Sequence, residues 1–559
     1  MGFDMAIDVE NLVGRRASNR WERVAVGDML ERMTWSFPEH DAIVGWEGAF
    51  SHPAYRRLTY RQADELTRRI ANGLLAKGLT RGQRVFMVCE NSVEAWALKL
   101  GIARAGLVAV PINTSLAPDV MAHIIRLVEP SFAFVDAEAW PQAKAAFQET
   151  SLKVGATIPI GGEVIDGSAA FHDFVQGAST EDPEVEIHGD DIWQLLFTSG
   201  TTAMPKGAMV SHVNSHLGAY GFALSLTRGV RIENQLRLCS FLPLTYHVGD
   251  QCFMLSVIVS GGTLVLGRRP SGEAIAQAIS RERCTALWGG SPALVGQVAE
   301  ALAKNHVALD ARSLKIVVYG WGALPPGVTQ ALQTLCGPDL VPMGIFGQTE
   351  AIACHRFWPD VWRDLYLRTA PETNYVGVPS PLLASQVMDA EGKCLMNQPG
   401  VPGEAVYRSP VVMGGYYKDR AASEHAFRYG WFHSGDSCVY DTNGLRIMVD
   451  RFKDIVKSGG ENVSTLRVEA VLAQHPAVQK PAVIGLAHPR WGEGVTAVVI
   501  LRPGAERPAE AELIEFCRGK LAGFEMPKAV VFVNALPETV GGKVLKYKLR
   551  AEYAKLYEP

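Results

Sequence analysis

Residues 195–207 read Leu195-Leu196-Phe197-Thr198-Ser199-Gly200-Thr201-Thr202-Ala203-Met204-Pro205-Lys206-Gly207. An apolar run passes directly into four hydroxyl side chains, two glycines and a lysine. Polyphosphate asks for that composition: backbone N–H groups that come close, hydroxyl donors and one mobile cation. A Ser/Thr/Gly cluster is also what a plain surface loop between two strands contains. The density of donors beside a proline-stiffened lysine favours phosphate. The loop is not a Walker loop, which needs Gly before the Lys and Ser or Thr after it. Here Pro205 precedes Lys206 and Gly207 follows. Residues 208–210 then read as a strand rather than a helix opening, which argues against a P-loop kinase or ATPase.

Outward from the loop, strand and helix patterns alternate. Thr59-Tyr60-Arg61-Gln62 is a capping box, and Leu66, Ile70 and Leu74 follow at helical spacing. Residues 84–89 read as a strand, Ser92 caps a helix to about 104, and 107–111 is strand-like again. The alternation continues through strands at 193–197, 236–242, 263–266, 286–288 and 315–319, which argues for βαβ units and largely parallel sheets. From about 377 the texture changes to short alternating runs between Gly/Pro turns, a β-rich subdomain. After Asp450 the pattern resets into a helix at 466–474, strands at 478–486 and 495–501, a helix at 509–521, a strand at 529–533 and a last helix. The predicted fold is α/β. A large N-terminal domain (1–450) has mainly parallel sheets flanked by helices, plus a β-rich subdomain (about 377–450). A hinge follows at 451–453, then a small mobile α+β C-terminal domain at 454–559.

A chain of 559 residues has length enough for several structural units and a large core. A hydrophobic share of 48% with 20% charged residues belongs to an ordinary globular protein. The net charge of −4 gives no electrostatic case for nucleic acid. Nine cysteines stand singly, with no Cys-x-x-Cys pair, so neither a disulfide framework nor a zinc site is suggested and a reducing cytoplasm fits best. The N-terminus has no apolar signal core. The longest uncharged stretch, 252–267, is too short to span a membrane and reads as a buried helix followed by a buried strand.

Five further segments could carry chemistry. Gly320-Trp321-Gly322-Ala323-Leu324-Pro325 follows a strand, and Gly322 and Ala323 let backbone approach a flat ligand; taken alone it is a strand-to-helix turn. Phe346-Gly347-Gln348-Thr349-Glu350 offers an aromatic face for a nucleobase and one hard carboxylate for magnesium. In Gly430-Trp431-Phe432-His433-Ser434-Gly435-Asp436 the aspartate suits the paired hydroxyls of a ribose, although an Asp after Gly is commonly a turn residue; His433 reads as structural. Arg451, Lys453, Lys457 and Ser458-Gly459-Gly460 form a basic, then flexible, junction, a plain linker or a hinge. Gly541-Gly542-Lys543 places a lysine near the C-terminus that would be unremarkable by itself.

Their order and combination resemble the adenylate-forming superfamily of acyl- and aryl-CoA synthetases, luciferase and adenylation domains, from about 58 to 550. The likeness is greatest to free-standing carboxylic acid–CoA ligases. It implies ATP, Mg2+ and coenzyme A as the cofactor and co-substrates, with a small-molecule carboxylic acid as the partner. Thr198, Ser199, Gly200, Thr201, Thr202 and Lys206 match the phosphate loop, with Thr201 acting in catalysis. Phe346, Gly347, Gln348, Thr349 and Glu350 match the adenine-and-magnesium motif, with Phe where Tyr is commoner. Gly322 and Ala323 would lie along the nucleotide. Asp436 matches the ribose aspartate, with Ser434 in place of the usual Thr. Arg451 matches the ribose and phosphate arginine, Lys453 the hinge position and Lys543 the catalytic lysine. Lys457, Ser458, Gly459 and Gly460 stand where relatives present a second face to the pantetheine channel. Phe241 to Gly249 resembles the histidine-bearing segment, with one residue more than usual before His247.

Tyr246, His247, Trp321 and Gly344 would then face the acid. An indole at Trp321, where a small residue is frequent, favours an aromatic or short acid; a medium-chain fatty acid stays open if the indole points away. A stand-alone adenylating enzyme with another acceptor, and a non-catalytic nucleotide-binding relative, are the competing readings. The second of these would usually have lost Lys543, Glu350 or Asp436. No membrane span is expected, and a homodimer is left open. Arg467 stands where similar enzymes have an acidic or small residue, and the sequence offers no reason for it.

Overall fold

The computed structural model describes residues 24–198, 204–227, 235–245, 247–451, 454–458, 461–518, 520–538 and 544–558, apart from the side chains of Ala353, Cys354 and Asn462. Its local elements follow the chemistry of the chain. Thr59 caps the helix Tyr60–Ala76 through Gln62 N while the Gln62 side chain returns to Thr59 N at 2.9 Å. Ser92 caps Val93–Arg104 by accepting from Ala95 N at 3.0 Å. That helix is buried on every side, so each of its charges is paired. Glu94 accepts from Ser51, Lys99 meets Asp250, and Arg104 binds Asp64 at 2.7 Å.

Among the described residues three sheets form. One has seven strands, in the order Ala169–Ala170, Ala156–Ile158, Phe132–Asp136, Arg84–Val88, Val108–Pro111, Ile192–Thr198 and Lys206–Ser211. All pairs are parallel except the last, where Lys206–Ser211 folds back on Ile192–Thr198. The second sheet has thirteen strands. Its centre is parallel: Thr263–Leu266, Arg237–Ser240, Ala286–Gly290, Ile316–Gly320 and Val341–Gln348. From there the pairing turns antiparallel through Ala351–Phe357 and Tyr375–Pro379 into Arg446–Arg451, Phe432–Tyr440, Gly403–Arg408 and Ala384–Met388. The β-rich stretch read from the sequence thus continues the path of the central sheet. Strands buried on both faces explain the near-continuous apolar runs at 286–290 and 316–320.

Two segments depart from the sequence reading. In the stretch 252–267, expected as a buried helix followed by a buried strand, the helix begins earlier, as a π-helix at Val248–Met254 that continues as Leu255–Val259. The helix predicted at 509–521 is shorter, Glu510–Phe516. The C-terminal unit is built on the hairpin Val478–His488 and Gly492–Leu501, with Ala529–Phe532 parallel to it and a small hairpin, Val456–Ser458 with Glu461–Val463, at its edge. It is joined to the strand Arg446–Arg451 by a buried contact: Thr465 N and Oγ1 both donate to Asp450 Oδ2, at 2.7 and 2.6 Å. Lys546 adds an ion pair with Glu469 at 2.8 Å and donates to Thr465 Oγ1 at 2.5 Å.

The parallel strands all point their carboxyl ends one way, and ligands of open α/β sheets bind at that end. Gly290, Gly320–Trp321, Phe346–Gln348 and the segment after Ser240 all lie there. That segment is closely packed: a Cβ on Gly267 would fall 2.1 Å from the Phe241 ring. Gly267→Ala is therefore expected to destabilise by about 1–3 kcal/mol through overpacking. Gly327, which has open space around it, should tolerate Ala without loss. Thermal midpoints of the two variants measure the difference.

Candidate active site

The register of the first hairpin sets Thr198 opposite Lys206, and Thr198 Oγ1 reaches Lys206 O at 3.5 Å. Lys206–Ser211 is gripped on its far side by residues 414–417. Gly207 O accepts from Tyr417 N at 2.8 Å, Ala208 bridges to Tyr416, and Met209 N donates to Gly415 O at 2.9 Å. This grip puts the Lys206 ammonium 5.2 Å from the centre of the Tyr416 ring and 3.9 Å from Asp419.

Tyr416 turns the same grip toward the next motif. Its hydroxyl donates to Glu350 Oε1 at 2.9 Å, while Met413 N donates to Glu350 O at 2.8 Å. Burial, and then the neighbouring Glu350 carboxylate, push the Tyr416 phenol well above its ordinary value, so it remains a neutral donor. Glu350 itself is buried. Arg451 completes the group: its Nε meets Asp436 Oδ1 at 2.8 Å across the antiparallel pair Asp436↔Arg451. Asp436 raises the Arg451 pKa against burial, and Glu350 contributes to the same shift. Lys206, Tyr416 and Glu350 are therefore linked contact by contact, and the charge of Glu350 also acts on Arg451, which is paired with Asp436.

Glu350 accepts from Tyr416 through Oε1, and a carboxylate is the hard oxygen donor that Mg2+ takes. The ion takes one or two protein carboxylates and leaves its other positions to phosphates and water. Among the described residues no cluster of three or more His, Cys, Asp or Glu could hold a metal alone, so substrate oxygens would supply the remaining ligands.

Phe346 lies next to this group. It pairs in register with His355, their rings 6.0 Å apart. Behind it, buried Arg446 donates to His355 Nε2 at 3.1 Å and to Tyr440 Oη at 3.0 Å, tying the strand that neighbours Phe346 to the strand that carries Asp436. Gln348 is buried, Gly347 exposed and Thr349 in the turn that leads to Glu350. His433 is held by Glu404 at 2.7 Å, the structural role expected of it.

On the other side of Val341–Gln348 stands the segment carrying His247. Asn91 donates to Leu242 O and Gly267 O, both at 2.9 Å, and accepts from Leu244 N at 2.8 Å. Lys99 Nζ donates to Leu244 O at 3.0 Å. His247 is partly accessible, yet burial of its ring pushes the pKa down to about 3, so the imidazole is neutral near pH 7. The π-helix that follows takes more residues per turn than an α-helix, which accommodates a segment one residue longer than usual. Trp321 occupies a left-handed conformation, φ 63°, and is 46% exposed. Its indole lies over Gly290, where a Cβ would fall 3.0 Å from Trp321 Cζ3 and 2.5 Å from Leu242 Cδ1. It also contacts Trp288 at 5.6 Å, and Trp288 stacks on Phe253 at 4.7 Å. Gly322 and Ala323 are half-buried in the turn that opens the helix Pro326–Cys336. Gly344 packs against Tyr319, whose hydroxyl would be 3.0 Å from an added Cβ.

In the C-terminal unit Lys457 is exposed, its N–H held by Glu493 at 2.6 Å, and Ser458 is buried opposite Gly492. Arg467 has a partner after all: its Nε meets Glu525 Oε1 at 2.9 Å. Ser199, Gly200, Thr201, Thr202, Tyr246, Lys453, Gly459, Gly460 and Lys543 lie outside the described residues. Sequence reasoning missed Tyr416 and Lys99. The signal for Lys99 was present, since a lone lysine at the centre of an apolar helix demands a buried partner. Tyr416 had only a Gly-Gly-Tyr-Tyr run to announce it.

The AMP-binding enzyme family matches residues 30–417, and the AMP-binding enzyme C-terminal domain matches 467–543. The chain belongs to this family. It is 31% identical over 541 residues to 4-hydroxybutyrate–CoA ligase 2 of Metallosphaera sedula, covering 94% of this chain and 93% of that one. It is 30% identical over 498 residues to a feruloyl-CoA synthase of an Amycolatopsis species, covering 89% and 94%. The anthranilate CoA ligase AuaEII, solved with anthranoyl-AMP, superposes with a TM-score of 0.81 at 27% identity, covering 95% of this chain and 97% of that one. Among the described residues no helix is long and apolar enough to cross a membrane.

Tyr416→Phe removes the hydroxyl that holds Glu350. The hydrogen bond reaches a charged acceptor, so a loss of about 1.5–3 kcal/mol is expected. Titration calorimetry should show weaker binding of Mg-ATP, with a smaller defect for ATP without magnesium.

Proposed function

We propose that this chain is an ATP-dependent carboxylic acid–CoA ligase working in two half-reactions. A substrate carboxylate attacks the α-phosphorus of ATP, giving an acyl-adenylate and pyrophosphate; the CoA thiolate then attacks the acyl carbon and AMP leaves. The observation that carries this reading is the linkage of Lys206, Tyr416, Glu350, Arg451 and Asp436 into one site. An anion attacking a polyanion needs positive charge gathered at the phosphorus and a donor set for the leaving group. Lys206, with Thr198 and the hydroxyls of residues 199–202, would hold the β- and γ-phosphates. Phe346 would face adenine. Asp436 would accept the ribose hydroxyls while Arg451 holds it in place and faces the α-phosphate. Glu350 would hold Mg2+, which when bound withdraws charge from the phosphate oxygens.

Lys543 would supply the remaining cation, a compact point charge on a flexible stem. It comes from the C-terminal unit, which we take as residues 454–559 turning about Lys453. For thioester formation that unit would present Lys457, Ser458 and the Gly459-Gly460 strip instead. Neutral His247 would stand at the acid carboxylate. A cytoplasmic location, where ATP and CoA are at hand, suits the free thiols of the chain.

The acid we propose is short or aromatic. Trp321 lies over Gly290 against Leu242 and Trp288, and Trp288 is backed by Phe253. Those side chains occupy the volume that a long acyl chain would need. Pyrophosphate release, measured over a panel of short, aromatic and fatty acids with and without CoA, tests both parts. Acid-dependent release with AMP and thioester appearing only when CoA is added supports the ligase. Trp321→Gly should move the preference toward longer acids, and an unaltered chain-length profile would remove the argument from the indole.

The two faces of the C-terminal unit are separable. Lys543→Ala should depress adenylate formation by about a hundredfold or more, the range of one lost transition-state cation. It should spare thioester formation from supplied acyl-adenylate. Lys457→Ala should show the reverse bias. Equal losses in both assays would contradict the assignment.

A further inference from the structure

One ammonium group bonds both flanks of the turn that carries His247. Lys99 Nζ donates to Leu244 O, three residues before the histidine, and forms an ion pair with Asp250, three residues after it. Both side chains are buried, at 2% and 0% exposure. Lys99 sits at the centre of the fully buried helix Val93–Arg104 and Asp250 in the π-helix Val248–Met254, so the pair fastens the start of the π-helix to a fully buried helix. The Trp193 ring lies 5.9 Å from the same ammonium. Ser215, which accepts from Trp193 Nε1 at 2.8 Å, donates to Gln251 Oε1 at 2.5 Å and fixes the residue next to Asp250. Asn91 holds the preceding stretch from the other side, through Leu242 and Leu244.

We propose that Lys99 and Asp250 are positioning residues for the first half-reaction: they set the place of His247, and through it the acid carboxylate, without touching substrate. The inference rests on the reading that His247 meets the acid. A buried ion pair is a poor device for stability alone, because two apolar groups of similar volume commonly serve as well or better. Its geometry here is specific: the ammonium joins the two flanks of one turn, whereas an apolar pair at the same positions would leave Leu244 O without that donor. The pair therefore fixes the two flanks between which His247 opens the π-helix.

The test separates folding from positioning. Lys99→Met and Asp250→Leu, each alone, leave one buried charge without its partner and should lower the thermal midpoint and the activity together. The double variant Lys99→Met/Asp250→Leu should recover the thermal midpoint. It should nevertheless keep a KM for the acid raised about tenfold or more in acid-dependent pyrophosphate release, with the Kd for ATP unchanged. Recovery of both the midpoint and the acid KM would overturn the proposal and leave the pair a structural feature. Should the double variant fail to fold, Asp250→Asn keeps the shape but takes away the counter-charge that holds Lys99: a raised acid KM at unchanged ATP affinity supports the proposal, and an unchanged acid KM overturns it. His247→Ala distinguishes the two levels. If it leaves acid-dependent pyrophosphate release intact, the reading of His247 is wrong and the proposal falls with it. If it impairs that release while the double variant does not, the staple alone is wrong.

Discussion

The ion pair between Arg451 and Asp436 is the contact on which the arrangement of the site depends. It joins two neighbouring strands at a point where the register makes them partners, so the sheet holds the two side chains within reach of each other. Asp436 is almost wholly buried, and a buried carboxylate without its cation would be costly. The next residue before Arg451, Asp450, receives both donors of Thr465 and so carries the C-terminal unit. The strand that holds the proposed ribose contact is thus paired with the strand from which that unit hangs. A ligand that bonds Asp436 and Arg451 acts on the joint as well as on itself.

Phosphate chemistry explains why so many charges are kept close at some cost. Lys206 has Asp419 and the Tyr416 ring beside it, and Glu350 has Tyr416 and the field of Arg451. Each is held by neighbours that do not neutralise it completely. Such groups are oriented in advance and need little reorganisation when a polyanion arrives, which is where electrostatic catalysis gains most. The side proposed for the acid is built on the opposite principle. Trp321, Trp288, Phe253 and Leu242 pack as in a core, with glycine where the indole must come close. A neutral imidazole there adds no charge to repel or capture the incoming carboxylate.

Much of this was legible in the chain. The alternation of apolar strands and capped helices gave the parallel sheets, because those patterns report burial on two faces and helix starts directly. The strand at 208–210 was readable, and Pro205 and Gly207 forbade a Walker loop; its antiparallel pairing with Ile192–Thr198 came only from the fold. Asp436 and Arg451 were found separately, yet their pairing was not, since register across a hairpin depends on turn geometry that short motifs do not encode. Tyr416 escaped for a related reason: it stands far along the chain from Glu350 and from Lys206, and only the sheet edge brings the three together. The π-helix at Val248–Met254 escaped because its first residues, Asp250 and Gln251 among them, lie ahead of the uncharged stretch from which the helix was read. Arg467 looked anomalous until the fold supplied Glu525, a partner that no local pattern announces.

The central claim is that a carboxylate of the substrate attacks the α-phosphorus of ATP at this site. Supplying an acid labelled with oxygen-18 in its carboxyl group and analysing the nucleotide product by mass spectrometry follows that bond directly. The account predicts one labelled oxygen in AMP for each thioester formed. Label appearing in inorganic phosphate with ADP as the nucleotide product would contradict it.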